Sequence, residues 1–501
     1  MRAPPPKTAG KRVATSALCA RLNPQVTLLT QPDGSLAASV DGYAIELGRF
    51  SAETARRAAD LRTGLRLSTI TSTAAKAKEI NLLVRRLAHR GLVEYPLLHA
   101  RDNRELAVIE PQAADYWPQP AKLNDTDAIV LSRLAYLRRR GSDMVLESPR
   151  ANALFRICDS SIANLLAILS APHTVNKLRR LQGFPGAELL ALLLSCHILF
   201  KVGKSGDDGR RASEGDEHLV LWDFHDLLFH ARSTEGRQAN PLGGLYAHAG
   251  AIAPVPAVRP PWPGQRIDLV KSEAMTPNPV SSFTGLLHTR RSIRSFDDVN
   301  PITLVELTHL LDTAARIRST WTGDLDFGET GPVMTYAARP YPGAGSAYEL
   351  ELYLAVANCA GLARGFYHYD ADAHALVPIT VKEPQLEAML TAAAYAMDVP
   401  SQPQILVTAA ARFGRVSWKY SSVAYSLILK DAGVLLQTLY LTAADMGLGG
   451  CAIGTNNIDL FAKMTGLEFH VEGPVAQFAL GRAANQDFEA DPGALPSDPS
   501  D

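Results

Sequence analysis

The run Thr289-Arg290-Arg291-Ser292-Ile293-Arg294-Ser295-Phe296 places three arginines and a serine hydroxyl within six residues. Guanidinium forks bind phosphate oxygens in pairs, and a hydroxyl adds a neutral hydrogen bond. Entering a region with helix-capping potential, the run suits a phosphate monoester; the plain alternative is a solvated basic turn. A second stretch, Arg339-Pro-Tyr-Pro-Gly-Ala-Gly-Ser-Ala-Tyr-Glu-Leu-Glu-Leu-Tyr-Leu354, is a small-residue loop opening into an alternating strand. Gly343 and Gly345 permit close backbone approach to a flat ligand. A third, Met446-Gly-Leu-Gly-Gly-Cys-Ala-Ile-Gly454, has four glycines in eight residues, more than a helix stop needs. A backbone N–H there can face a ring nitrogen. Metal chemistry has no comparable footing. His225 and His230 are five apart and do not share a helical face, and the five cysteines form no closely spaced pair.

These stretches need elements to position them. The 501 residues suggest about three domains. A composition of 47% hydrophobic and 20% charged residues is that of a globular protein. No run of 18 consecutive apolar residues occurs, so a membrane-spanning helix is not expected. Sparse, odd-numbered cysteines fit a reducing cytoplasm. The net charge of −1 hides an asymmetry: residues 1–250 hold 33 Lys+Arg and 25 Asp+Glu, net +8, and residues 251–501 hold 17 and 26, net −9. A net +8 without a dense basic helix argues against nucleic-acid binding.

The basic half reads as a weak duplication. Val26–Leu47 reads as two strands around Pro32-Asp33-Gly34. A helix carrying Leu82, Leu83 and Leu87 on one face follows and stops at Gly91. Leu92–Tyr95 and Leu106–Glu110 read as a wing. The second copy has strands at Ile129–Leu137 and Met144–Leu146. Its helices carry Ile162, Leu165, Leu166 and Leu169, then Leu189, Leu190, Leu193 and Leu194. Strands Ile198–Val202 and Leu219–Asp223 flank a polar loop, Lys204–Asp216. Hairpin, helices and wing, twice, describe two winged-helix-like modules. An edge strand beside a helix can take an extended peptide. The expected organisation is an α+β chain: a flexible N-terminus (1–19), winged-helix-like domains at 20–112 and 113–246, a linker at 247–281 rich in proline, a catalytic domain at 282–484 and an acidic tail at 485–501.

The arginine run resembles the signature that opens nitroreductase-fold flavoproteins. More narrowly, the chain resembles the SagB-type dehydrogenases, FMN-dependent azoline oxidases of thiazole- and oxazole-modified peptide pathways. The resemblance continues through Arg339–Leu354, Arg412-Phe-Gly-Arg-Val-Ser-Trp-Lys-Tyr420 and Tyr425–Gly454, and ends at Phe478-Ala-Leu-Gly-Arg482. Trp222–Ser233 is similar to the approach to that domain in long members, including cyanobactin oxidases. Those carry two winged-helix-like peptide-clamp domains upstream.

The resemblance implies roles residue by residue. Arg290, Arg291 and Ser292 hold the FMN phosphate and ribityl chain, and Arg482 closes on the phosphate. Arg294 sits near the pyrimidine edge. Pro342, Gly343, Ala344 and Ser346 belong to a loop over the isoalloxazine, and Ala452, Ile453 and Gly454 lie near N5. Many nitroreductases have proline where this chain has Ala452. Lys419 and Tyr420 match the catalytic Lys-Tyr dipeptide, with Tyr420 as base and Lys419 as its partner, or the reverse. An ammonium beside a phenol favours the phenolate. The apolar helix of about Ser421–Met446 is expected to be buried on every side, as the core of a homodimer, with Lys430 paired to Asp431 or a flavin oxygen.

The expected activity is FMN-dependent oxidation of azolines in a ribosomally made precursor peptide, whose leader the N-terminal domains bind. A cyclodehydratase is a possible partner; nucleic acid, membrane and metal are not expected. The alternatives are an NAD(P)H-dependent nitroreductase acting on small molecules and a flavin-free peptide-binding scaffold.

Overall fold

The computed structural model describes residues 16–234 and 282–484, apart from the short stretches 32–34, 41–42, 73–74, 114–115, 203–213, 325–332 and 421–422. The Pro32-Asp33-Gly34 turn, most of the Lys204–Asp216 loop, the proline-rich linker from 247 and the acidic tail from 485 lie outside the described residues. The chain forms two compact units, one over Met1–Arg232 and one over Pro241–Asp501.

The first unit repeats one sequence of elements. The first copy runs β1 (Ser16–Leu22), β2 (Thr27–Thr30), β3 (Ser35–Val40), β4 (Tyr43–Arg49), α1 (Ala52–Ala58), β5 (Leu65–Arg66), α2 (Leu67–Ile70), α3 (Ala75–His89) and β6 (Val93–His99), then β7 (Glu105–Pro111). The second runs β8 (Ala128–Leu131), β9 (Tyr136–Arg140), β10 (Asp143–Glu147), β11 (Ala153–Ile157), α4 (Ser160–Ile168), β12 (His173–Thr174), α5 (Val175–Leu178), α6 (Ala187–Ser195) and β13 (Leu199–Lys201), before α7 (Phe224–Arg232). The order β5-β1-β6 in one copy is matched by β12-β8-β13 in the other. The duplication is therefore topological as well as sequential.

Four local expectations change. Residues 16–19 are not loose: Leu18, Ala20 and Leu22 are buried, and β1 pairs with β6. Val26–Leu47 contributes three strands, not two. In α3 the inward face is Ile80, Leu83, Val84 and Leu87, while Leu82 is 46% exposed. Leu219–Asp223 is not a strand, because Asp216 accepts the His218 N–H and starts a helical turn over Glu217–Leu221. The two copies also join: β7 pairs with β11, giving one sheet ordered β5-β1-β6-β7-β11-β10-β9 over a shared core.

The second unit is built on an antiparallel sheet ordered β18-β17-β16-β19-β21-β20. Its elements are α8 (Ser282–Thr289), α9 (Leu304–Ala314), β14 (Ser319–Asp324), β15 (Val333–Ala338), β16 (Leu350–Val356), β17 (Gly365–Asp370), β18 (Ala375–Ile379), α10 (Glu383–Ala396), β19 (Ile405–Arg412), α11 (Gly414–Ser417), α12 (Ala424–Asp445), β20 (Gly449–Ile453), α13 (Ile458–Thr465) and β21 (Glu472–Gly481). Alternation along a strand separates the two faces. Ala479 turns to α10 and α13, where Phe461 and Met464 pack on Tyr353 and Phe366. Phe478 turns to α12, edge-on to Tyr440 at 4.9 Å. Truncating the fully buried Phe461 to alanine costs about 3–5 kcal/mol.

Helix α12 departs from expectation twice. By length and composition it is apolar enough to cross a membrane, yet it packs on β20, β21 and α9. Nor is it buried on every side: Ile428, Leu435 and Leu439 face inward, while Val434 is 36% exposed, and Lys430 is exposed beside it.

Candidate active site

Prolines 340 and 342 end the regular course of β15, and the chain turns sharply at Gly345, with φ 55° and ψ 40°. A Cβ at Gly345 would lie 2.8 Å from Lys419 Nζ and 2.8 Å from Tyr420 Oη. The small-residue loop and the Lys-Tyr dipeptide, 74 positions apart at the nearer residue, thus meet at one backbone point. The dipeptide is placed by α11, where both Lys419 N–H and Tyr420 N–H donate to the Val416 carbonyl at 3.0 and 2.9 Å. Arg415, one turn earlier, fastens α11 to the loop by donating to the Ala347 and Thr335 carbonyls, each at 2.8 Å. The Lys419 ammonium lies between two phenol rings, 5.2 Å from the Tyr420 centroid and 5.5 Å from that of Tyr336. Tyr336 itself stacks on Trp321 across the β14–β15 hairpin.

The arginine run follows the C-terminal end of α8, where the Arg290 N–H still donates to the Leu286 carbonyl. The expected helix-capping role is corrected here: a helix C-terminus carries partial negative charge, so an anion at this point depends on the arginines themselves. Arg290, Arg291 and Ser292 are half-buried and Arg294 is exposed. Tyr440 of α12, not singled out from the sequence as a site residue, organises the cluster. Its hydroxyl lies 2.8 Å from Ser292 Oγ and accepts the Ala452 N–H at 2.7 Å. The Arg290 guanidinium lies 5.0 Å from its ring centroid. A phenol set between Leu439 and Leu441 in an apolar helical stretch was the available signal.

The third stretch is mostly strand β20, with Ile453 buried at its end. Two of its glycines serve packing. A Cβ at Gly449 would meet Ile293 at 2.6 Å, and one at Gly450 would collide with the Phe478 ring. Gly454 has open space around it. Arg482 is held by groups of its own chain. Its Nη2 donates to both oxygens of Glu306 at 2.7 and 2.8 Å, and its Nε donates to the Asn300 carbonyl at 3.0 Å. Glu306 also closes the capping box of α9 with Thr303. Burial alone would raise the Glu306 carboxyl, but Arg482 and Thr303 outweigh it and hold it low.

Behind the loop, the Ala344 N–H donates to Asp431 Oδ2 at 2.7 Å. Asp431 is therefore the loop's anchor and not the partner of Lys430. Glu349, fully buried, lies against Asp431. His230 is buried and stacks on Trp222, while His225 is largely exposed beside Asp223. Among the described residues no His, Cys, Asp and Glu cluster suits a metal ion.

Residues 287–482 match the model of the nitroreductase family, and residues 129–239 match that of the cyanobactin oxidase ThcOx. The putative nitroreductase MJ1384 of Methanocaldococcus jannaschii is 30% identical over 169 residues, covering 34% of this chain and 76% of that protein. Among solved structures, a putative nitroreductase from Ralstonia eutropha is 24% identical over 42% of this chain and 87% of its own, with a TM-score of 0.32. The E. coli microcin synthetase McbBCD complex with truncated pro-MccB17 bound matches at 20% identity over 54% of this chain and 97% of that chain, with a TM-score of 0.37.

Proposed function

The chain belongs to the nitroreductase family, and from this premise we propose that it is an FMN-dependent azoline dehydrogenase acting on a ribosomally made precursor peptide. The observation that carries the reading is the convergence of Lys419 Nζ and Tyr420 Oη on Gly345. The match of residues 129–239 to a cyanobactin oxidase supports it.

The donor set fits the cofactor. Arg290, Arg291 and Ser292 present two guanidinium groups and a hydroxyl to the phosphate end, with Arg294 beyond them. The Pro342–Ser346 loop offers backbone to a flat ring, Ala452 to Gly454 form a neighbouring edge, and the Cβ side of Gly345 is given over to Lys419 and Tyr420. Arg482 is left out of this set because Glu306 and Asn300 hold it. Bound FMN supplies the acceptor for the hydride that leaves the azoline Cβ. The Cα proton, acidified by its carbonyl and by the C=N bond, needs a base. Tyr420 accepts that proton, and Lys419 provides the positive charge beside it.

Two further parts of the reading have structural support. In the first unit, β4 is the edge of the β2-β3-β4 sheet and runs beside α3. Glu46, Leu47, Gly48, Arg85, Arg86, His89 and Arg90 line a concavity of about 500 Å³ there, in which three arginines outnumber the one carboxylate. An acidic leader segment adding to that edge would meet several cationic groups. In the second unit, the open side of α12, with Val423 44% and Val434 36% exposed, suits a second copy of the chain. A cyclodehydratase partner, which would make the azolines, belongs to the same reading.

The test is anaerobic mixing of the flavin-loaded protein with an azoline-bearing peptide. Bleaching of the flavin's visible absorbance by the peptide supports the dehydrogenase. Bleaching by NAD(P)H and not by the peptide supports a small-molecule nitroreductase. A protein that takes up no flavin leaves the scaffold reading.

A further inference from the structure

Glu349 precedes β16 and is 0% exposed, and neither carboxyl oxygen meets an N–H or O–H donor from another described residue. A buried carboxylate in that state is strongly disfavoured. Its carboxyl faces that of Asp431 on α12. Two carboxyls in contact repel when both are ionised and bind when they share one hydrogen. The other charged or titratable groups bearing on the pair are Arg339 after β15, Arg415 on α11 and Tyr341 in the loop. Neither arginine forms an ion pair with Glu349 or Asp431 among the described residues. Arg415 is turned to the Ala347 and Thr335 carbonyls, and the Arg339 Nε is buried without a hydrogen-bond partner. The hydrogen for the carboxyl contact therefore comes from the pair itself.

We propose that Glu349 is a positioning residue: as a carboxylic acid it donates its hydrogen to Asp431, which keeps Asp431 on the Ala344 N–H and holds the Gly345 turn against Lys419 and Tyr420. The inference rests on the proposed function only in calling that turn the site. It is a chain of contacts, Glu349 to Asp431, Asp431 to Ala344, then Gly345 to the dipeptide. Burial, with the neighbouring Asp431 carboxyl adding to it, pushes Glu349 up to about 7. The acid form is favoured by folding, so its contribution is complete below the usual carboxylate range and is lost as pH rises through about 7. Above that, a second buried negative charge loosens the anchor.

Amide hydrogen exchange over residues 339–348, read in the full chain on either side of pH about 7 and corrected for intrinsic rates, tests this. The wild type should lose protection at Ala344 above that pH. E349Q, whose amide still donates to Asp431 but does not titrate, should keep it on both sides. Equal pH-dependent loss in E349Q and wild type would overturn the proposal. An infrared band of a buried protonated carboxyl group should also be present in the wild type below pH about 7 and disappear above it, and its absence would overturn the proposal without any variant. Neither measurement uses a peptide substrate, so failure of the azoline reading would leave both results interpretable.

Discussion

The hydroxyls of Ser292 and Tyr440 lie 2.8 Å apart, joining the arginine run to α12 across 148 positions of sequence. The same Tyr440 oxygen accepts the Ala452 N–H at 2.7 Å. One phenol thus sets the distance between the two stretches assigned to opposite ends of the cofactor. Tyr440→Phe leaves a backbone N–H without its acceptor, and that loss costs about 1–3 kcal/mol. Thermal melting should show the destabilisation, and a flavin titration should show weaker FMN binding. Unchanged values in both would remove Tyr440 from this role.

Gly345→Ala tests the convergence itself. Its φ of 55° is left-handed, which costs an alanine about 1–2 kcal/mol. The added carbon also displaces Lys419 and Tyr420. Misplacement of reacting groups by roughly 1 Å can lower turnover about 100-fold. Flavin loading should survive the change while turnover collapses.

The arginines divide into two kinds. Arg290→Ala removes a charged phosphate contact worth about 1.5–3 kcal/mol. FMN affinity should then fall roughly 10- to 100-fold, with little change for riboflavin, which has no phosphate. Arg482→Ala should do the opposite. It removes a partly exposed ion pair worth about 1 kcal/mol or less, lowering the melting temperature and leaving FMN affinity intact. Calorimetric titration with both flavins separates the two patterns.

Much of this was legible in residue order, and the exceptions share a cause. The repeated hairpin-helix-wing pattern was readable because each copy carries its own apolar periodicity. The pairing of β7 with β11, which joins the copies, depends on tertiary placement and leaves no local mark. Thr303 and Glu306 are readable as a capping box, but the return of Arg482 to Glu306 spans 176 positions. Glycines 449 and 450 resembled a ligand-facing loop because a close approach to Phe478 or Ile293 reads the same as one to a flavin. The Lys-Tyr dipeptide and the small-residue loop were each singled out, yet their meeting at Gly345 is a property of the fold.

Peptide capture by the first unit has its own test. Arg90→Glu reverses one charge in the β4–α3 concavity. Affinity for an acidic leader peptide should fall roughly three- to tenfold at low salt, with a smaller difference at high salt. Oxidation of a short, leaderless azoline should be unaffected. Equal leader affinity in the variant and wild type would move the peptide site elsewhere.

Lys419 and Tyr420 are assigned the removal of a proton from an azoline while its hydride leaves to bound flavin. Mass spectrometry of an azoline-bearing peptide incubated with the flavin-loaded protein tests it most directly. Each ring should lose two hydrogens with the wild type, and Tyr420→Phe and Lys419→Ala should each slow that loss about 100-fold or more while retaining bound flavin. An unaltered peptide with the wild type, or undiminished rates in both variants, would contradict the account.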